Sequence, residues 1–180
     1  MSESSDEILV VKKSGTAADP VLSVGGAFVG DSNFTLSGFL DVRSLTIDLL
    51  DATRMNSTGV REWHLWMTGF REKNPRALIV LKHCPRFFIE TMNMIYDFVP
   101  GPFVIESFAV PFFCESCDVS IEVLAERGKH YHETQGPVDE ADVGVVSCDT
   151  CGAEAEVDWA GDGYFKCISK SKQSLAKASS

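Results

Sequence analysis

Two Cys-x2-Cys pairs, Cys114-Glu-Ser-Cys117 and Cys148-Asp-Thr-Cys151, constrain this chain more than any other feature. Each pair can aim two sulfurs at one point from a tight knuckle, and two knuckles supply the four thiolates of a tetrahedral metal site. The 30 residues between the pairs must then fold back on themselves. Gly152 follows the second pair directly, where the backbone has to turn closely around sulfur. Four protein sulfurs fill the coordination sphere, so the expected site is closed and structural, with no position for an activated water. Disulfides and a redox pair are the rival readings. A cytoplasmic chain argues against stable disulfides, and neither pair has the strand-to-helix setting of a redox Cys-x-x-Cys. The expectation is one structural zinc ion on Cys114, Cys117, Cys148 and Cys151.

The other cysteines and the histidines give weaker signals. Cys84 follows a short apolar run and reads as a core residue, and Cys167 as packed on a strand. His130 and His132 stand at i and i+2 beside Glu133 in a polar loop, where they either hold a second metal or face solvent. His64 and His83 read as packed or surface residues. No Gly-rich phosphate loop, G-x-S-x-G elbow or H-E-x-x-H motif occurs, and no catalytic set can be nominated. A non-catalytic protein is therefore expected.

Charge divides the chain near residue 110. Residues 21–110 are almost neutral at net −1, residues 111–165 carry 13 acidic against 2 basic groups, and residues 166–180 carry net +4. The total of −10 opposes binding to nucleic acid or to anionic lipid. No apolar run is long enough to span a bilayer. Residues 1–7 are acidic and Ser-rich, the opposite of a secretory leader, so the expected location is the cytoplasm.

Periodicity gives a coarse order for the first two-thirds. Residues 1–19 read as a flexible arm around the short apolar run Ile8–Val11. Val21–Val29, with Gly25-Gly26, reads as a strand with a bulge. Leu45–Leu50 is a short buried strand. Thr58–Glu72 is a helix with Val60, Trp63, Met67 and Phe70 on one stripe, ended by Asn74-Pro75. Trp66 lies off that stripe and reads as partly exposed, a natural anchor for a partner. Ala77–Leu81 is a second buried strand, Arg86–Phe98 a second helix, and Phe103–Phe113 a long strand. Strands separated by helices imply a largely parallel sheet covered by helices, and hence an α/β fold.

The stretch Leu45–Val60, with Asp48 in its strand and Asn56-Ser57-Thr58-Gly59 at the start of the helix, resembles the STAS domain, the fold of anti-sigma-factor antagonists and of related sensor and transporter modules. The resemblance covers about residues 20–110. It implies a mixed sheet covered by helices, and a non-catalytic module that docks a protein through the face around Asn56, Gly59 and Arg61. The implied partners are a kinase, an anti-sigma-like factor or further STAS chains in a homotypic assembly. In that family the second hydroxyl of the turn is phosphorylated, which maps to Thr58 with Ser57 as its neighbour. Two departures stand out: Asn56 replaces the family's acidic residue, and no final helix follows the last strand. Asn, Ser and Thr are also the commonest helix N-caps, so the turn reads first as plain capping, which is compatible with a phosphosite.

Residues 111–168 resemble a zinc ribbon, which implies a small all-β appendage. Its strands are expected at Phe108–Phe113, Val119–Leu124, Ala155–Trp159 and Tyr164–Ile168, with a hairpin turn at Asp162-Gly163. Residues 169–180 read as a disordered basic tail. Zinc ribbons often serve transcription and RNA machinery, so nucleic-acid binding is the alternative function, which the local net of −11 opposes.

Overall fold

A computed structural model describes residues 9–30, 39–133, 141–159 and 163–178. Among these residues the fold is mixed α/β, with a five-stranded mixed sheet, a three-stranded antiparallel sheet and three helices.

The first sheet holds β1 (Val10–Gly15), β2 (Pro20–Phe28), β3 (Ser44–Met55), β4 (Leu78–Lys82) and β5 (Phe103–Ile105), side by side in chain order. β1 runs antiparallel to β2, and every other neighbour is parallel. The register aligns apolar rows across the sheet. Leu22, Ile47, Leu81 and Ile105 form one row, and Leu45, Ile79 and Phe103 another. All seven are buried, as expected where strands alternate between a core face and an opposite face. The register shifts at Ser23/Gly25 and again at Gly26/Ala27, so the double glycine does mark a bulged stretch.

Helices α1 (Ser57–Lys73) and α2 (Arg86–Met94) are the two crossovers. They meet through Trp63, whose ring stacks on Phe98 at 5.6 Å and takes Phe88 edge-on at 5.1 Å. The indole N–H of Trp63 donates to the Phe98 carbonyl (2.9 Å), so burial of its polar atom carries no desolvation penalty. α2 stops four residues earlier than periodicity predicts, because Ile95 is extended and Asp97 adopts φ +56.

Three expectations are corrected. The arm over residues 1–19 is not flexible throughout: Val10–Gly15 is edge strand β1, closed onto β2 by a turn in which Thr16 and Asp19 exchange hydrogen bonds. Residues 1–8 lie outside the described residues. The single strand expected over Phe103–Phe113 breaks at Glu106 into β5 and β6 (Ser107–Cys114). The Glu106 amide donates to Leu81 in the first sheet, and its carbonyl accepts from Arg127 at the end of β7 (Val119–Glu126) in the second. One residue thus serves both sheets. β6 is the central strand of the second sheet, between β7 and β8 (Glu156–Val157).

The third correction is the largest. The expected strand Tyr164–Ile168 and the expected disordered tail are replaced by one helix, α3 (Lys166–Ala178), docked on β5 and α2. Its buried face carries Cys167, Ile168 and Ser171. The reason is chemical. The Ser171 hydroxyl donates to the Phe103 carbonyl (3.0 Å), and the Phe103 amide donates to Ser174 Oγ (3.1 Å), whose own proton goes to the Ser171 carbonyl (2.7 Å). α3 therefore satisfies the outward backbone groups of an edge strand. A Lys/Ser-rich segment that looks too polar to pack does so with its polar atoms. α3 is also a helix after the last strand of the first sheet, separated from it by the cysteine-bearing excursion.

The buried cluster runs without interruption from the first sheet into the second, through Phe108, Val110, Tyr131 and Tyr164. Tyr131 donates to the Ile105 carbonyl and Tyr164 to the Ala109 carbonyl, each at 2.6 Å. No helix among the described residues is long and apolar enough to cross a membrane.

Candidate functional site

The second sheet brings the two knuckles together. Cys114 ends β6, and Cys117 lies just before β7. The second knuckle sits on a small hairpin: Ser147 bridges Glu154, Cys148 N–H donates to the Ala153 carbonyl, and Gly152 N–H to the Cys148 carbonyl. β8 then pairs with β6 at Phe112 and Phe113, which sets the hairpin beside Cys114. In both knuckles the residue after the second cysteine is left-handed, Asp118 at φ +54 and Gly152 at φ +72. The backbone thus turns the same way around both pairs, with Asp118 taking the role that Gly152 fills more cheaply.

The four sulfurs lie within 4.8 Å of one another, and Cys114 and Cys151 are 3.6 Å apart. Tetrahedral coordination with metal–sulfur bonds of about 2.3 Å needs sulfurs roughly 3.8 Å apart, so the cage has the right size. An all-thiolate set favours a soft or borderline ion over calcium or magnesium. Cys114 and Cys148 are buried, Cys117 is partly covered and Cys151 is exposed. The Cys151 and Thr150 amides hold the Cys148 pKa down to about 6. Hydrogen bonding with Cys151 and then burial push Cys117 up to about 12, and burial raises Cys114. Cys148 ionises readily while Cys114 and Cys117 resist; a divalent ion would remove that conflict. Among the described residues this is the one group of side chains placed to hold a metal.

The proposed loop site at His130 and His132 is not built that way. The Glu126 amide donates to His130 Nδ1, and the buried Glu133 carboxylate is gripped by Arg127 (2.7 and 2.9 Å) and by Ser171 of α3 (3.3 Å). Glu133 is thus a strut between the β7 end and α3. Cys84 is buried in the core, as expected, and Cys167 is buried on α3 and not on a strand. Burial raises the thiol pKa of both. The expected turn at Asp162-Gly163 is only half visible, because Asp162 lies outside the described residues.

The turn at the head of α1 is a capped helix start. Asn56 Oδ1 accepts from the Gly59 amide (2.9 Å), and the Asn56 amide nitrogen Nδ2 donates to the Val29 carbonyl (3.1 Å). Asn56, Ser57, Thr58 and Arg61 are all exposed. Gly59 is buried against β2, where a Cβ would stand 2.0 Å from the Phe28 carbonyl oxygen. Packing against β2 requires a glycine there. Trp66 is a second correction: it is 4% exposed, stacked on Phe70 and edge-on to Phe39. The helical wheel places it at the margin of the stripe, and the Phe39 segment covers that margin.

One pair escaped sequence reasoning. His83 Nδ1, just past the end of β4, meets Asp48 Oδ1 in the middle of β3 at 2.8 Å, and His83 adopts φ +50. The signal was present, since the β3–β4 register sets Asp48 opposite Lys82, but it needs the register to be read.

No family model, curated protein or solved structure matches this chain.

Proposed function

We propose that this chain is a non-catalytic signalling adaptor of STAS-like design, stabilised by one zinc ion on Cys114, Cys117, Cys148 and Cys151. The observation that carries the docking half of this reading is the head of α1. Three polar side chains, Asn56, Ser57 and Thr58, stand exposed on a rigid cap whose backbone is seated on β2 through Gly59. The first turn of α1 has no acidic residue, so the positive end of a 17-residue helix is left uncompensated by its own carboxylates. A phosphoryl group on Thr58, with about −1.5 to −2 charges at pH 7, is stabilised there by the helix end. It changes what a partner meets without unfolding the helix. Arg61, one turn along the same exposed end, is the companion contact.

The order of elements supports the STAS-like half. A strand bearing Asp48 leads to the hydroxyl turn and α1, then to a strand, a helix and a last strand, with a final helix supplied by α3. Zinc is the ion that best suits a closed set of four thiolates, and the site then contributes to folding and not to chemistry.

The test is the intact mass of the protein purified from its own cells, native against denatured, with peptide mapping. The expected result is one zinc lost on denaturation and a phosphate on Thr58 or Ser57. A native mass without metal removes the zinc reading. A turn unmodified under every growth condition, with no cross-link from a photoreactive group at position 61, removes the docking reading.

A further inference from the structure

A cavity of about 520 Å³ opens between the C-terminal end of α2, the turn leading into β5 and one side of α3. That volume lies inside the range of small-molecule sites, roughly 300–1,000 Å³. Its apolar lining comes from Met92, Ile95, Phe98, Val99 and Phe103. Tyr96 stands at the mouth, 85% exposed although it is aromatic. The chain around it is turned outward by the left-handed Asp97.

The polar part of the lining is unlike the rest of the molecule. In a chain of net charge −10, the cavity is lined by three cations, Arg76, Lys170 and Lys177, against one carboxylate, Asp97. Lys170 Nζ donates to the Met92, Asn93 and Ile95 carbonyls and so closes the end of α2. Its charge is held by dipoles. Among the described residues no carboxylate forms an ion pair with Arg76, Lys170 or Lys177. Apolar walls beside uncompensated cations strengthen the attraction for an anion, because low-dielectric surroundings screen it less.

We propose that this cavity binds a small amphipathic anion, an apolar body carrying one carboxylate or phosphate. The body rests on Ile95, Phe98, Val99 and Phe103, and the anionic group is held by Arg76 and Lys177. Lys170 is a positioning residue that keeps the end of α2 in place and adds its field. Because α3 supplies one wall, an occupied cavity ties α3 more firmly to α2 and β5.

The test uses the full, metal-loaded chain, titrated with octanoate, octyl phosphate and octanol, followed by calorimetry and by amide shifts in the NMR spectrum. The expected result is saturable binding of at least one anion at a single site, with shifts confined to residues 75–76, 92–103 and 170–177. Octanol should bind at least about tenfold more weakly, the size of one charge-assisted contact. The exposed double variant Arg76→Glu/Lys177→Glu should lose a similar factor while melting like the parent. Octanoate binding without octyl phosphate, or the reverse, assigns the headgroup. Octanol binding as tightly as the anions, shifts elsewhere, unchanged affinity in the double variant, or no binding of either anion would each overturn the proposal.

Discussion

Gly59→Ala tests whether the head of α1 is seated as described. The added Cβ would stand 2.0 Å from the Phe28 carbonyl oxygen, 2.6 Å from its carbon and 2.7 Å from its Cβ. Ordinary contact begins at 3.4 Å, so the helix start or the β2 end must move by about 1.4 Å. Neither can yield by rotating a side chain, because the nearest obstacles are backbone atoms. Overpacking of this kind costs about 1–3 kcal/mol, and the displaced Asn56 cap adds up to about 1. A total near 3 kcal/mol lowers the melting temperature by roughly 6–12 °C in a chain of this size. The assay is thermal unfolding by circular dichroism at fixed metal loading, with Ser57→Ala and Thr58→Ala as exposed neighbours. Those two should shift stability by no more than about 0.5 kcal/mol. A Gly59→Ala protein that melts within about a degree of the parent would show that α1 does not rest on β2 at this point, and the rigid-cap argument would fall with it.

Trp66→Ala should cost about 3–5 kcal/mol in urea unfolding, as for any large buried aromatic; a stable variant would return Trp66 to the surface. Ser171→Ala and Ser174→Ala should each cost about 1 kcal/mol and speed exchange of the Phe103 amide, and unchanged exchange would mean that α3 does not cap the sheet edge. In the metal-stripped chain Cys148 titrates near 6, below a thiol's usual value, so its contribution is present above that usual value and lost as pH falls through 6. Cys117, raised to about 12, acts oppositely, its contribution full below the usual value and lost as pH rises toward 12. The stability gap between the stripped parent and its Cys148→Ser variant should therefore widen with rising pH from 6 until the ordinary thiol range is passed, and a gap that narrows over that interval contradicts the assignment. Chelation should raise amide exchange in α3 while α1 stays protected; equal exchange in both helices would break the link between metal and α3.

What was legible in the sequence was whatever a single element states by itself. The α1 stripe, the β4 run and the spacing of four cysteines each carry their own period or motif, and each forms the element or cluster it signals. What was not legible depends on a neighbour. Val10–Gly15 becomes a strand because β2 offers an edge, and Trp66 is buried because Phe39 reaches over it. Glu106 divides a continuous apolar run because two sheets claim its amide and its carbonyl. α3 is the clearest case. Its composition is that of a solvated tail, and only the unpaired edge of β5 turns serine hydroxyls into packing groups. Asp48 and His83 show the same limit at a candidate site, since they lie 35 positions apart and meet only through strand register.

The position of the cysteine cluster also has an energetic meaning for the rest of the fold. The chain leaves the central region at Cys114 and returns at Lys166, an excursion of 51 residues. If those residues were unstructured, holding α3 on β5 would mean closing that whole loop, at an entropic cost of about 3.5 kcal/mol. The polar contacts that dock α3 are the Ser171 and Ser174 bonds to Phe103, the Glu133 strut and the Lys170 clamp on α2, beside the buried Cys167–Ile168 step. Hydrogen bonds of that kind yield about 1 kcal/mol each, so the closure cost is of the same size as the docking gain. A metal ion on the four sulfurs gathers the excursion into a folded unit, stitched to the core at Tyr131, Tyr164 and the Arg86–Asp158 pair. Part of the loop entropy would then be offset by metal binding, beside the pairing of β7 with β6. If an ion occupies the four sulfurs, the docking of α3 and the cavity that α3 walls should both weaken when it is removed.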